Sequence, residues 1–159
     1  MSERDPALTP EGGLPKHWGR AYTAPDITVY YNKDVCIHYA ACIRGLPQVF
    51  DTEQKPWIQA DHAPAEKVAD VVRRCPTGAL HYVLRDGPAE QPEPTTVDVR
   101  QNGPYFLRGD LTIAAPQGEV KDTRAALCRC GASKNKPFCD GTHRDIGFEA
   151  AGGEKINRS

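Results

Sequence analysis

The chain is poor in several of the features that announce common functions. In 159 residues it has one methionine and two tryptophans, and twenty Lys and Arg stand against twenty-one Asp and Glu, for a formal charge of −1. Without a basic surplus, nucleic-acid binding has no electrostatic footprint to start from. No apolar run approaches the ~20 residues needed to cross a bilayer, which argues against a membrane-spanning helix. Catalysis by the chain's own side chains lacks support: no Ser-His-Asp order, paired-carboxylate setting or glycine-rich phosphate loop stands out. Gly12-Gly13 and Gly152-Gly153 lie in stretches that read as tails. The opening MSERDPALTPEGG contains no apolar signal segment, so a reducing cytoplasm is the expected compartment and thiols are expected to stay reduced.

What is present is cysteine, six in all, in two constellations. The denser one is Cys128-Arg129-Cys130-Gly131-Ala132-Ser133-Lys134-Asn135-Lys136-Pro137-Phe138-Cys139-Asp140-Gly141-Thr142-His143, three thiols and an imidazole in one loop. That is a complete metal-ligand set. Cys128 and Cys130, one residue apart, can face one metal region, while Cys139 and His143 return from the far side of a tight loop stiffened by Pro137. Asp140 is placed to cap a short helix with His143 at its third position, and Gly141 leaves the backbone room. The run resembles the C-x-C-x2-(S/T)-x3-P-x-C-D-G-(S/A/T)-H signature of the CDGSH iron-sulfur (NEET) family, with Thr142 in the serine position of the name. The resemblance implies that Cys128, Cys130, Cys139 and His143 bind one 2Fe-2S cluster. His143 would be the tuning ligand, since an imidazole in place of a thiolate raises the potential. A structural Cys3His zinc site is the alternative.

The second constellation is Cys36-Ile37-His38-Tyr39-Ala40-Ala41-Cys42-Ile43-Arg44-Gly45-Leu46-Pro47, followed far downstream by Cys75-Pro76-Thr77-Gly78-Ala79-Leu80. Laid on the bacterial ferredoxin run C-x2-C-x2-C-x3-C-P, the four positions become Cys36, Tyr39, Cys42 and Leu46, with Pro47 as the final proline. From about Ile27 to Leu84 the chain resembles divergent single-cluster ferredoxins. Leu46 implies loss of a second cluster, and Cys75-Pro76 supplies the remote ligand of the remaining one. Three thiolates, Cys36, Cys42 and Cys75, favour a 3Fe-4S cluster. A 4Fe-4S cluster completed by His38 or by water is the alternative, and three buried free cysteines acting as small hydrophobes are the bland reading.

Punctuation favours an α+β chain of two small parts: an extended arm over 1–26, a ferredoxin-like domain over 27–84, a Pro-rich linker over 85–94, a β-rich CDGSH-type domain over 95–150 and a tail over 151–159. Trp18 and Tyr22 are expected to anchor the arm. In the first domain the pattern predicts a strand at Ile27–Tyr31, a short helix after Cys42, a hairpin around Val49-Phe50 and Trp57-Ile58, a helix from Ala63 to Arg74 and a strand at Leu80–Leu84. The second predicts short strands at Thr95–Val99, Tyr105–Leu107 and Leu111–Ala115, broken by turns at Asn102-Gly103-Pro104 and Arg108-Gly109-Asp110. Parts this small are expected to draw folding free energy from their clusters.

Arg124, Arg129, Lys134, Lys136 and Arg144 gather around the ligand loop. They read as a solvated face that offsets cluster charge, or as a docking patch for an acidic redox partner. His17, His62 and His81 read as ordinary surface or half-buried histidines. The expectation is a non-enzymatic electron carrier serving a reductase or oxygenase, with cluster storage, cluster transfer or redox sensing through a solvent-reachable His143 as the alternative. Resemblance to one-motif CDGSH chains also implies a homodimer.

Overall fold

A computed structural model describes residues 18–86 and 90–154. His17 and most of the expected arm lie outside the described residues. The described chain mixes short helices with two three-stranded antiparallel sheets. It divides into two compact units. One takes the chain up to Lys33, Tyr39–Cys75 and Ala79–Gln91; the other takes Asp34–His38, Pro76–Gly78 and the chain from Pro92 onward.

The first unit begins with a strand where an extended arm is expected. β1 (Arg20–Thr23) pairs with β2 (Ile27–Tyr31) in the register Ala21↔Tyr30 and Thr23↔Thr28. Arg-Ala-Tyr-Thr is too short and too mixed to display a two-residue period, which is why the sequence conceals it. After a 3₁₀ turn at Lys33–Val35, α1 (Ala41–Gly45) and α2 (Ala65–Arg73) follow, and Phe50 bridges Ile58 in the expected hairpin. β3 (Leu80–Leu84) then pairs with β2, Ile27 opposite Leu84 and Tyr31 opposite Leu80.

Strand alternation sorts these residues onto two faces. Ile27, Val29, Leu80 and Tyr82 join Val68, Val71 and Val72 of α2 and Leu46, Val49, Phe50 and Ile58 in one apolar core. Each large aliphatic side chain so buried contributes about 1.5–3 kcal/mol. Leu46, at the ferredoxin-pattern position that lacks a cysteine, is one of these core residues. The opposite face is buried as well: Trp18, Tyr30 and Val83 form a smaller cluster, and Trp18 stacks on His81 at 4.3 Å with 9° between ring planes.

His81 is therefore not a surface or half-buried histidine; it is fully buried, with Nδ1 3.1 Å from Oε1 of Glu90. A sheet covered on both faces leaves no exposed position for it. Glu90, expected in an exposed connection, is buried by the same contact.

In the second unit, β4 (Thr96–Val99), β5 (Tyr105–Ala115) and β6 (Gly118–Leu127) lie in the order β4-β5-β6. The expected break at Arg108-Gly109-Asp110 is a bulge inside one long strand, marked by a register shift between Arg108 and Leu111 and by Gly109 at φ 143°. A bulge lets the strand bend without ending. β6 is absent from the sequence expectation because it is polar for most of its length and its apolar end reads Ala-Ala-Leu. Its partner gives it away: Tyr105 faces Leu127 and Ala115 faces Gly118 across a tight hairpin. Among the described residues no helix is long and apolar enough to cross a membrane.

Candidate metal centre

The C-terminal ligand loop hangs from the end of β6. Leu127 bridges Phe138, Cys128 N–H donates to the Pro137 carbonyl at 2.8 Å, and Cys139 N–H donates to the Ala126 carbonyl at 2.8 Å. The ladder sets Cys128 opposite Pro137 and Cys139 opposite Ala126, so the two cysteines stand diagonally across it although ten residues intervene.

Two polar side chains clamp the intervening turn. Ser133 Oγ donates to the Phe138 carbonyl at 2.6 Å and accepts from Asn135 N–H at 3.0 Å. Asp140 accepts from Lys134 N–H at 2.9 Å through Oδ2, and from Thr142 N–H at 3.0 Å and Thr142 Oγ at 2.6 Å through Oδ1. The Thr142 hydroxyl, followed by the Lys134 amide, holds the Asp140 carboxyl down at about 2. Asp140 is not the helix cap expected from sequence: the N-cap of α3 (Thr142–Asp145) is Gly141, at φ 87° and with no side-chain cap, and Asp140 lies one residue before it, bracing Thr142. His143 is the second residue of α3 and is buried at 9 % exposure, so the solvent-reachable imidazole expected from sequence is not observed.

The four donors line one pocket. They form two pairs: Cys128 Sγ lies 4.0 Å from Cys130 Sγ, and Cys139 Sγ lies 3.4 Å from His143 Nδ1. Metal–sulfur bonds of about 2.3 Å and metal–nitrogen bonds of about 2.0–2.1 Å at a tetrahedral angle put paired donors roughly 3.5–3.8 Å apart. Each pair therefore fits one metal, and two pairs fit a two-metal cluster. Two thiolates in one pair and a thiolate with an imidazole in the other are a donor set that an iron-sulfur group accepts.

Backbone amides point at the sulfurs. Gly131 N–H lies 3.3 Å from Cys128 Sγ, Ala132 N–H 3.4 Å from Cys130 Sγ, and Gly141 N–H 3.4 Å from Cys139 Sγ. Such contacts stabilise thiolate and tune cluster potential. Burial pushes the Cys128 thiol up, but the Ser133 and Gly131 amides, the Cys130 sulfur and the Lys136 charge outweigh it, so its net shift is downward. Burial dominates at Cys139 and raises it. Burial, then the Arg144 charge, lowers the His143 imidazole and keeps its ring neutral, the form that ligates.

The basic cluster is less of a face than the sequence suggests. Arg124 is 1 % exposed, in a stretch of β6 where the neighbouring Ala125 and Ala126 are buried as well, so both faces of this end of the strand are covered. Arg129 donates to the carbonyls of Arg100 at 2.9 Å and Ala151 at 2.6 Å, and lies over the rings of Tyr105 and Phe148. It ties the loop down, a role that charge alone does not reveal. Lys134 and Lys136 remain exposed.

For the first constellation, the structure gives Cys36 the same device as the C-terminal cysteines: His38 N–H lies 3.4 Å from Cys36 Sγ. His38 and Ala40 both adopt left-handed backbone, at φ 57° and 67°. Two non-glycine residues in that region cost roughly 1–3 kcal/mol each, and such strain collects at functional loops. Cys42 in α1 and Cys75 after α2 both pack, half-buried, against the core of the first unit, whereas Cys36 belongs to the second. His38 and Tyr39 are exposed. Among the described residues no disulfide links any of the six cysteines.

Comparison with known proteins gives matches over both regions. Residues 22–85 match the family described as "Divergent 4Fe-4S mono-cluster", and residues 102–144 match "Iron-binding zinc finger CDGSH type". The proteins named "Uncharacterized protein YjdI" from Escherichia coli strain K12 and from Escherichia coli O157:H7 are each 41% identical over 63 residues, covering 40% of this chain and 83% of the relative.

Proposed function

This chain belongs to the divergent 4Fe-4S mono-cluster family and continues into a CDGSH-type iron-binding region, and from that premise we propose that it is an electron carrier holding two iron-sulfur clusters. The observation that carries the proposal is the recurrence of one device, an amide aimed at a cysteine sulfur, at Cys36 as well as at Cys128, Cys130 and Cys139. When bound, each cluster supplies one-electron redox chemistry.

The chain's contribution is position and potential. Cys128, Cys130, Cys139 and His143 hold a 2Fe-2S group in the region 95–150. Cys36, Cys42 and Cys75 hold the other group in the region 27–84, and the stretch 85–94 joins the two. With a tyrosine at position 39, this ligand set favours a 3Fe-4S cluster; the family description favours 4Fe-4S, with exposed His38 as the nitrogen donor at hand. In this reading the chain is not an enzyme by itself. It works in the cytoplasm, exchanges electrons with a reductase or oxygenase, and pairs with a second copy through its CDGSH region. Storage or transfer of the His-ligated cluster is the rival role, and the burial of His143 speaks for retention instead.

The test is electron paramagnetic resonance of anaerobically purified protein before and after dithionite. A signal in the oxidised sample, joined on reduction by a two-iron signal, supports a three-iron centre beside a 2Fe-2S centre. Two signals only after reduction point to four irons at the first site, and a colourless protein sinks the proposal. In His143→Cys the two-iron potential is expected to fall; an unchanged potential removes His143 from the ligand set.

A further inference from the structure

Cys36 lies early in the chain, yet the loop that carries it, Asp34–His38, is part of the second compact unit. Three contacts within that unit hold it there. Ile37, 2 % exposed, packs in an apolar cluster with Phe106, Ala126 and the ligand Cys139. The Ile37 carbonyl accepts from Nη1 of Arg144 at 2.6 Å, and Arg144 is the residue after the ligand His143. On the other side of Cys36, the Asp34 carbonyl accepts from Nδ2 of Asn135 at 3.0 Å. Asn135 sits in the turn between Cys130 and Cys139 and is itself held by Ser133. Both flanks of Cys36 are thus fastened to the ligand loop of the other centre.

The segment after Cys75 shows the same allegiance. Pro76–Gly78 also belongs to the second unit, and Gly78, at φ 76°, passes so close to β6 that a Cβ would collide with the Arg124 carbonyl oxygen. Cys42, in contrast, belongs to the first unit and packs against its core.

We propose that the folded CDGSH-type loop positions Cys36 for the first cluster through Ile37, Arg144 and Asn135, so that the first centre assembles only after the second has formed. The dependence runs one way, because nothing in the C-terminal donor set is supplied by residues 39–75. Arg144 and Asn135 are then positioning residues for a cluster they do not ligate. The inference rests on the two-cluster reading above.

The test uses the full chain, with iron and sulfide counted per chain and each cluster followed by its paramagnetic and visible spectra. Cys42→Ser is expected to lose the first centre and keep the two-iron spectrum. Cys139→Ser is expected to lose both. A Cys139→Ser chain that retains the first centre overturns the proposal.

Cys139→Ser can also act by unfolding its own loop, so Arg144→Ala and Asn135→Ala provide the second arm. In each, occupancy of the first centre under limiting iron is expected to fall about fivefold, the size of one lost hydrogen bond. The two-iron spectrum should be unchanged in Asn135→Ala, whose side chain touches no donor of that centre, and Arg144→Lys, which keeps the charge beside His143, should keep that spectrum and restore part of the loss. Unchanged first-centre occupancy, or equal loss of both centres, overturns it. A wild-type chain with a single cluster instead refutes the two-cluster reading, so the two failures are distinguishable.

Discussion

The two cysteine constellations answer to different physics. The C-terminal donors lie within Cys128–His143, and a short hairpin end, two clamps and four residues of helix bring them together. The N-terminal donors are spread from Cys36 to Cys75 and are presented by a strained loop, a short helix and a helix end that follow different compact units. Around the first set of helices there is a substantial apolar core; around the C-terminal loop the apolar cluster is small, and polar clamps take its place. One region can hold its shape by burial, while the other depends on hydrogen bonds and on what its donors bind.

The strongest way to break that contrast is to remove the iron. Chelation under reducing conditions should lower the thermal midpoint of the second unit by about 10 °C or more, since cluster binding there stands in for a core. The first sheet, with its own core, should melt less altered. Circular dichroism of the apo chain, with Trp18 fluorescence reporting on the first unit, reads both. Equal loss in the two units would erase the distinction.

Gly78→Ala is the next largest perturbation. It combines a left-handed φ of 76° with a collision against the Arg124 carbonyl oxygen and close approach to Asp122. About 2–4 kcal/mol of destabilisation is expected in denaturant titrations. A change within experimental error would show that Pro76–Gly78 is free to move away from β6.

Ser133→Ala sharpens the contrast more finely. It leaves the buried Phe138 carbonyl and the Asn135 amide without their hydroxyl partner, and is expected to cost about 1–3 kcal/mol. The signature of the proposed dependence on clamps is a faster bleaching of the two-iron spectrum, with the first core intact by fluorescence. Val68→Ala, at a fully buried position of α2, should reverse the pattern: a loss of about 1–3 kcal/mol seen in the first unit and little change in that spectrum.

How much of this was legible in the sequence follows the same division. The C-terminal loop could be read letter by letter because its geometry is local: Ser133 and Asp140 reach partners only a few residues away. The strands Ile27–Tyr31 and Leu80–Leu84 and helix α2 were legible from their periods. What escaped depends on distant partners. β1 and β6 are strands because β2 and β5 pair with them, and neither carries the pattern alone. Arg124 and His81 look like surface residues until the strands that carry them are seen to be covered on both faces. Arg129 and Arg144 advertise charge, while their hydrogen bonds go to carbonyls far along the chain. No composition argument reveals that Asp34–His38 keeps company with residues a hundred positions later.

The smallest expected effect concerns what remains of the basic face. With Arg124 buried and Arg129 and Arg144 occupied by carbonyls, Lys134 and Lys136 are left exposed on the turn between Cys130 and Cys139. If an acidic redox partner docks there, charge steering should act through these two residues, raising the encounter rate more than the affinity. Lys134→Glu with Lys136→Glu should leave stability within about 0.5 kcal/mol of the parent, as surface substitutions do. Reduction by a ferredoxin reductase should slow at low salt and converge with the parent as screening shortens the reach of both charges. A rate difference that persists at high salt would mean contact packing instead of steering. No difference at low salt would move the docking face away from this loop, toward the exposed Tyr39 and Ile43 beside Cys42.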